Sequence, residues 1–149
     1  MAAVALYWLR ARRADKVTLA WQLILGGLIA LALARVGGHL YNNPRPFVTG
    51  HLKPLFPHAP DNGFPSDHAL LTSFLAFALW RWSRGLSIAL VVNAVLVGGA
   101  RVLAHVHHVI DILGSWGFSL VAVLVIAGIE RWRAHGLSPR RRGAAGWRS

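Results

Sequence analysis

Four apolar runs, each ending in basic residues or a polar turn, constrain this chain more than any other feature. Residues 17–38 are interrupted only by Gln22, Arg35 and small side chains, and they meet the roughly 20-residue length needed to cross a bilayer. Residues 70–82 form a shorter run, but Ser66 and Asp67 ahead of it can cap and lengthen a helix. Runs 86–104 and 109–132 follow, the second carrying Asp111 and Glu130 near its two ends. The expected fold is all-α: a polytopic membrane helix bundle of about four full transmembrane helices plus a short N-terminal helical piece. That piece, 1–9, is apolar but too short to span, and no small-residue cleavage site follows it, which argues against a signal peptide. It reads as the tail of a helix that is missing its beginning or is shortened. At 149 residues the chain has the length of one domain.

Charge sets the orientation. The formal net charge is +11, with 16 Lys and Arg against 5 Asp and Glu. Such an excess suits either nucleic acid or an anionic membrane surface. Its placement favours the membrane and no nucleic-acid partner. Arg10, Arg12, Arg13 and Lys16 form one cluster, Arg81 and Arg84 a second, and Arg131, Arg133, Arg140, Arg141, Arg142 and Arg148 a third. Each abuts the end of an apolar run. If all three are cytoplasmic, run 17–38 leads out, 66–82 returns, 86–104 leads out again and 109–132 ends inside. Trp8, Trp21, Trp80, Trp82 and Trp132 lie near those same ends, as interfacial anchors do. The tail 133–149 is expected to be basic and cytoplasmic, with 144–149 disordered. The chain has no cysteine, which excludes disulfides, zinc thiolates and thiol catalysis within it.

The side opposite the basic clusters holds the proline-rich loop 41–64 and the turn 104–109. His39, His51, His58, His68, His105, His107 and His108 all fall there, with Arg45, Arg101, Asp67 and Asp111. Asp111 lies among Val109, Ile110, Ile112 and Leu113, where an ionised carboxylate is costly unless paired. His107 is four residues earlier and His108 three, so either imidazole can share its face. A carboxylate that holds one ring nitrogen leaves the other free to attack or to take a proton. Six residues of continuous helix would put Arg101 about 240° from His107, so the chain must turn between them if they share a site. Arg45 is fixed between Pro44 and Pro46, and a rigid guanidinium fork suits a tetrahedral oxyanion. Ser66, Asp67 and His68 open a helix whose first N–H groups favour an anion. Together these groups describe a phosphate-handling site.

Arg45-Pro46, then Pro65-Ser66-x-His68, then Arg101-x5-His107-x3-Asp111 resemble the three signature motifs of the type 2 phosphatidic acid phosphatase (PAP2) superfamily. The stretches 41–48 (YNNPRPFV), 64–68 (FPSDH) and 109–115 (VIDILGS) look most like its bacterial undecaprenyl-pyrophosphate phosphatase branch. The similarity covers about residues 1–132 of a single domain, 1–149. It implies a lipid phosphatase of the bacterial inner membrane, acting on a lipid phosphate or pyrophosphate at the outer, periplasmic face among membrane lipids. It implies His107 as the nucleophile, oriented by Asp111, and His68 as the acid and base; Arg45, Arg101, Ser66 and Asp67 would hold phosphate. It implies no metal and no other cofactor. The family's first motif begins with a lysine seven residues before the arginine, and that position is Gly38 here. His39, His51 and Lys53 are the candidates to replace it, and His108 is a further candidate for the site. Family members usually have six helices, so this chain lacks one and part of another. Competing readings are a phosphatase for phosphatidic acid or phosphatidylglycerol phosphate, a metal-dependent hydrolase using His105, His107, His108 and Asp111, and a non-catalytic membrane scaffold.

Overall fold

The computed structural model describes residues 2–50 and 52–136; of the expected tail 133–149, residues 133–136 are instead the end of the last helix, and 137–149 lie outside the described residues, as does His51. The chain runs α1 (Ala2–Arg10), α2 (Arg13–Leu40), α3 (Pro46–Thr49), α4 (Asp67–Ala78), α5 (Arg84–Leu103) and α6 (Val109–Gly136). Three stretches are long and apolar enough to cross a membrane: Asp15–Leu40, Arg84–Leu103 and Val109–His135. The expected all-helical membrane bundle is therefore present, and the short N-terminal piece is α1.

The run at 70–82 differs from expectation. Its helix, α4, has 12 residues and stops at Ala78, a rise of about 18 Å against a hydrocarbon core of about 30 Å. It lies against α2, α5 and α6, with Ala69, Leu70, Ser73, Phe74, Ala76 and Ala78 all buried. A helix covered on these sides has little lipid-facing surface, with Leu71 its exposed large apolar side chain. Its free carbonyl groups are instead answered by neighbours, as an apolar environment demands. Gln22 of α2 donates to the Ala78 carbonyl at 3.1 Å and Ser87 of α5 donates to that of Ala76. In the following turn, Tyr7 of α1 donates to the Trp82 carbonyl at 2.9 Å.

Small and hydroxyl side chains, with a few large apolar ones, line the inside of the bundle, and many large apolar ones cover the outside. Ser73 and Ser119 bond each other at 2.8 Å, and Ser115 donates to the Ser66 and Asp111 carbonyls, joining α4 to α6. Ala30, Ala34, Leu70, Phe74, Ala78 and Ala122 complete the core between α2, α4 and α6. Leu28, Val92, Leu96, Leu113 and Leu124 are exposed, as lipid-facing residues should be. Close helix approach through small residues is the normal packing mode in a bilayer.

The long loop is anchored by Phe64. Its ring stacks edge-on against Tyr41 and Phe118. A Cβ on Gly114 would fall 2.3 Å from that ring, and one on Gly37 would fall 2.4 Å from Phe118. These two glycines thus make room for the aromatic wedge between α2 and α6, and the wedge sets where Pro65, Ser66, Asp67 and His68 begin α4.

Candidate active site

His105 has a φ of 60°, a left-handed conformation that reverses the chain between α5 and α6. The turn is tied to the long loop by the Leu55 N–H donating to the Ala104 carbonyl at 3.3 Å. This reversal is the one required for Arg101 and His107 to approach the same end of the bundle. His107 follows, almost fully buried, and Asp111 is completely buried in the first turn of α6.

The partners of His107 define which ring nitrogen carries a hydrogen. Nδ1 lies 2.9 Å from the Gly63 carbonyl and 3.3 Å from Asp111 Oδ2. A carbonyl oxygen only accepts, so Nδ1 carries the hydrogen. Nε2 lies 3.2 Å from Arg45 Nη1. A guanidinium only donates, so Nε2 presents its lone pair. Asp111 is held in turn: Oδ1 accepts from Asn43 Nδ2 at 2.7 Å, and Oδ2 from the His108 backbone N–H at 2.8 Å. His107, rather than His108, therefore turns its ring to the carboxylate. The His108 ring reaches the Pro44 carbonyl instead.

Arg45 is buried and is held through Nε and Nη1. Nε donates to Asp61 Oδ1 at 2.7 Å and Nη1 to the Val106 carbonyl at 2.8 Å, besides facing His107. This bond holds the Asp61 carboxyl below the ordinary carboxylate pKa. A cavity of about 610 Å³ opens over Arg45 and His107, walled also by His58, Asp61, Asp67, His68, His39 and Arg35. His58 stacks edge-on to His107 at 6.4 Å between centroids. Its pKa is lowered first by desolvation, then by the positive charges of Arg45 and others nearby, with Asp61 opposing. Ser66 is wholly buried and its hydroxyl has no hydrogen-bond partner.

The structure thus brings His107, Asp111, Arg45, Asp67, His68 and His39 together. Arg101, expected to hold phosphate, and Lys53, a candidate for the place of the missing lysine, are placed differently. Arg101 lies with its guanidinium 5.5 Å from the Phe56 ring, outside the residues walling the cavity, although its charge is felt at His58. Lys53 contributes its carbonyl to the His105 ring, and its side chain is not part of the cavity wall. The rings of His105, His107 and His108 point to three different carbonyls, and among the described residues no group of three metal-ligating side chains forms. Asn43, Asp61 and His58 carried no assigned role in the sequence. Only the position of Asn43, two residues before Arg45 in the motif run, was a signal.

Apolar helices gathered around a short helix, with most of the ionisable groups near their ends, define a multi-pass integral membrane protein. Residues 16–134 match the PAP2 superfamily, and the chain belongs to it. It is 33% identical over 100 residues to the undecaprenyl-diphosphatase BcrC of Bacillus subtilis, covering 67% of this chain and 50% of that one. It is 37% identical over 123 residues to the putative undecaprenyl-diphosphatase YbjG of Escherichia coli, covering 77% and 60%. The crystal structure of a PAP2-type phosphatidylglycerolphosphate phosphatase from Bacillus subtilis superposes with a TM-score of 0.59 at 25% identity, covering 86% of this chain and 65% of that one. The chain spans about half to two thirds of the length of these relatives.

Proposed function

We propose that this chain is a lipid phosphatase that hydrolyses undecaprenyl pyrophosphate to undecaprenyl phosphate through a phosphohistidine on His107. The observation that carries the reading is the His107 ring, with Nδ1–H locked onto Gly63 and Asp111 and the Nε2 lone pair facing Arg45 at the cavity. Nε2 attacks the terminal phosphorus, the P–N bond forms, and the P–O bond to the lipid phosphate breaks. His68 gives its proton to the leaving oxygen. Neutral His68 then takes a proton from water, whose oxygen attacks the phosphorus and frees His107 and inorganic phosphate. Arg45 turns from Nε2 to the phosphoryl oxygens as their charge grows, with Arg101 supplying further positive charge and the unpartnered Ser66 hydroxyl a donor. Asp67 serves through its backbone N–H at the start of α4, because its carboxylate would repel the anion. The basic clusters support an outward-facing site, which would serve the outer leaflet of a bacterial inner membrane.

The similarity to a phosphatidylglycerolphosphate phosphatase favours a second substrate class, glycerol lipid phosphates. Purified protein should be assayed for phosphate release from undecaprenyl pyrophosphate, phosphatidylglycerol phosphate and phosphatidic acid, with and without a strong chelator. Fastest release from the pyrophosphate, insensitive to chelation, is expected. His107→Ala should lower the rate by about a thousandfold or more. Release that is unchanged in His107→Ala would sink the mechanism, and no release from any lipid would leave the scaffold reading standing.

A further inference from the structure

Arg35 lies within the Asp15–Leu40 span, five residues before its outer end, or about 7.5 Å along the helix. A guanidinium at that depth is costly without a counter-charge. Among the described residues no carboxylate forms an ion pair with it; the pairs present are Arg45–Asp61, Arg81–Glu130 and His107–Asp111. Arg35 and Asp67 wall the His107 cavity and also a second, apolar groove of about 350 Å³ between α2 and α4. Leu31, Leu70, Leu71 and Phe74 form much of that groove.

The order along α2 matches an amphiphile. Gly38 and His39 stand at the phosphate cavity, Arg35 is one turn deeper, and Leu31 is one turn deeper again. Gly38 itself has little room for a side chain: a Cβ there would lie 3.0 Å from the Phe64 carbonyl oxygen. Its own carbonyl is bonded to Asn62 at 2.8 Å. The cation on this side of the cavity therefore comes from the preceding turn, displaced toward the lipid.

We propose that Arg35 grips the phosphate that remains on the lipid, and that the α2–α4 groove below it holds the first part of the hydrocarbon chain. This rests on His107 being the point of attack on the terminal phosphate. With that phosphate at His107 and Arg45, the second phosphate of a diphosphate falls on the membrane side, where Arg35 waits. A lipid monophosphate has its one phosphate at His107 and offers Arg35 no anion. Arg35 is thus a specificity residue that favours diphosphates.

The test compares farnesyl diphosphate with farnesyl monophosphate. Binding is measured by titration calorimetry in detergent on the His107→Ala background, so that neither ligand is consumed, and turnover is measured with His107 present. Arg35→Ala should weaken diphosphate binding about tenfold or more, the scale of one charged hydrogen bond. Monophosphate binding should change less than about twofold, which also shows that the variant is folded, and Arg35→Lys should recover part of the loss. Equal weakening of both ligands, or of neither, overturns the assignment. Leu71→Trp, which fills the groove, should weaken farnesyl diphosphate and leave inorganic pyrophosphate unaffected; equal effects on the two would remove the groove from the proposal. Discrimination by Arg35 without turnover in the His107 protein would overturn the phosphatase reading alone. Turnover with no Arg35-dependent discrimination would overturn the Arg35 assignment alone.

Discussion

Asn43 and Asp61 hold the two charged groups on which the cavity is built, and each can be tested through the residue it holds. Asn43 bonds the buried Asp111 carboxylate across 68 residues of chain. Asn43→Ala leaves that oxygen unsatisfied, and a hydrogen bond to a charged group contributes about 1.5–3 kcal/mol. The expected outcome is a fall in kcat of about tenfold with KM little changed, whereas Asn43→Asp, which sets carboxylate beside carboxylate, should be worse. Asp61 is exposed, so its bond to Arg45 is weaker, and Asp61→Asn should raise KM by no more than about fivefold. The sign of its pH dependence follows from the Arg45 bond. Asp61 has a folded-state pKa below the ordinary 3.8, so its contribution is fully present above that value and is lost as pH falls through the lowered pKa. Between pH 5 and 8 the Arg45 clamp is constant, and a pH–rate profile in that range should have the same shape in wild type and Asp61→Asn. The spacing narrowed the partner of Asp111 to His107 or His108 without separating them, because His107 precedes α6 and its ring is aimed by the irregular turn before that helix. The Arg45–Asp61 and Asn43–Asp111 contacts were not legible in the sequence, because they depend on how an irregular loop folds back, which no periodicity encodes.

Each long helix could be read from its apolar run to within a few residues at most boundaries, because lipid demands a continuous stretch of that length. The early end of α4 could not. Apolar residues continue through Leu79 and Trp80, and the stop is set by side chains elsewhere that accept the role of capping it. Gln22 is the main one: it donates to the Ala78 carbonyl, and its Oε1 accepts from the Trp82 indole at 2.7 Å. In the sequence it is one polar residue in an apolar run. Buried at 4% exposure, it fixes both the end of α4 and the turn into α5. Gln22→Leu keeps the volume but strands the buried Ala78 carbonyl, at a cost of about 1–3 kcal/mol, and removes the partner of the half-buried Trp82 indole N–H. Thermal unfolding in detergent should show a clear loss of Tm. Adding Trp82→Phe should then cost less than it does in wild type, since the indole partner is already gone. Equal costs in the two backgrounds would mean that the bond contributes nothing.

At the scale of the molecule, the contacts gather the three basic clusters that the sequence separates. Tyr7 beside the first basic cluster bonds Trp82 beside the second, and Arg81 of the second pairs with Glu130 next to the third. Three clusters far apart in sequence are therefore at one end of the bundle, while the cavity lies at the other, among His39, Arg45, His58 and His68. A membrane protein inserted with its Lys and Arg inward places that cavity outside. The chain contains no cysteine, so single cysteines can report on this without background. Ala59, at the cavity, and Ala134, near the end of α6, are both exposed. In intact cells with a permeable outer barrier, Ala59→Cys should react with a membrane-impermeant maleimide, whereas Ala134→Cys should react only after lysis. Labelling in the opposite sense would move the site to the cytoplasmic face. The lipid it serves would then be drawn from the inner leaflet, and the basic clusters would have to be explained by something other than the membrane.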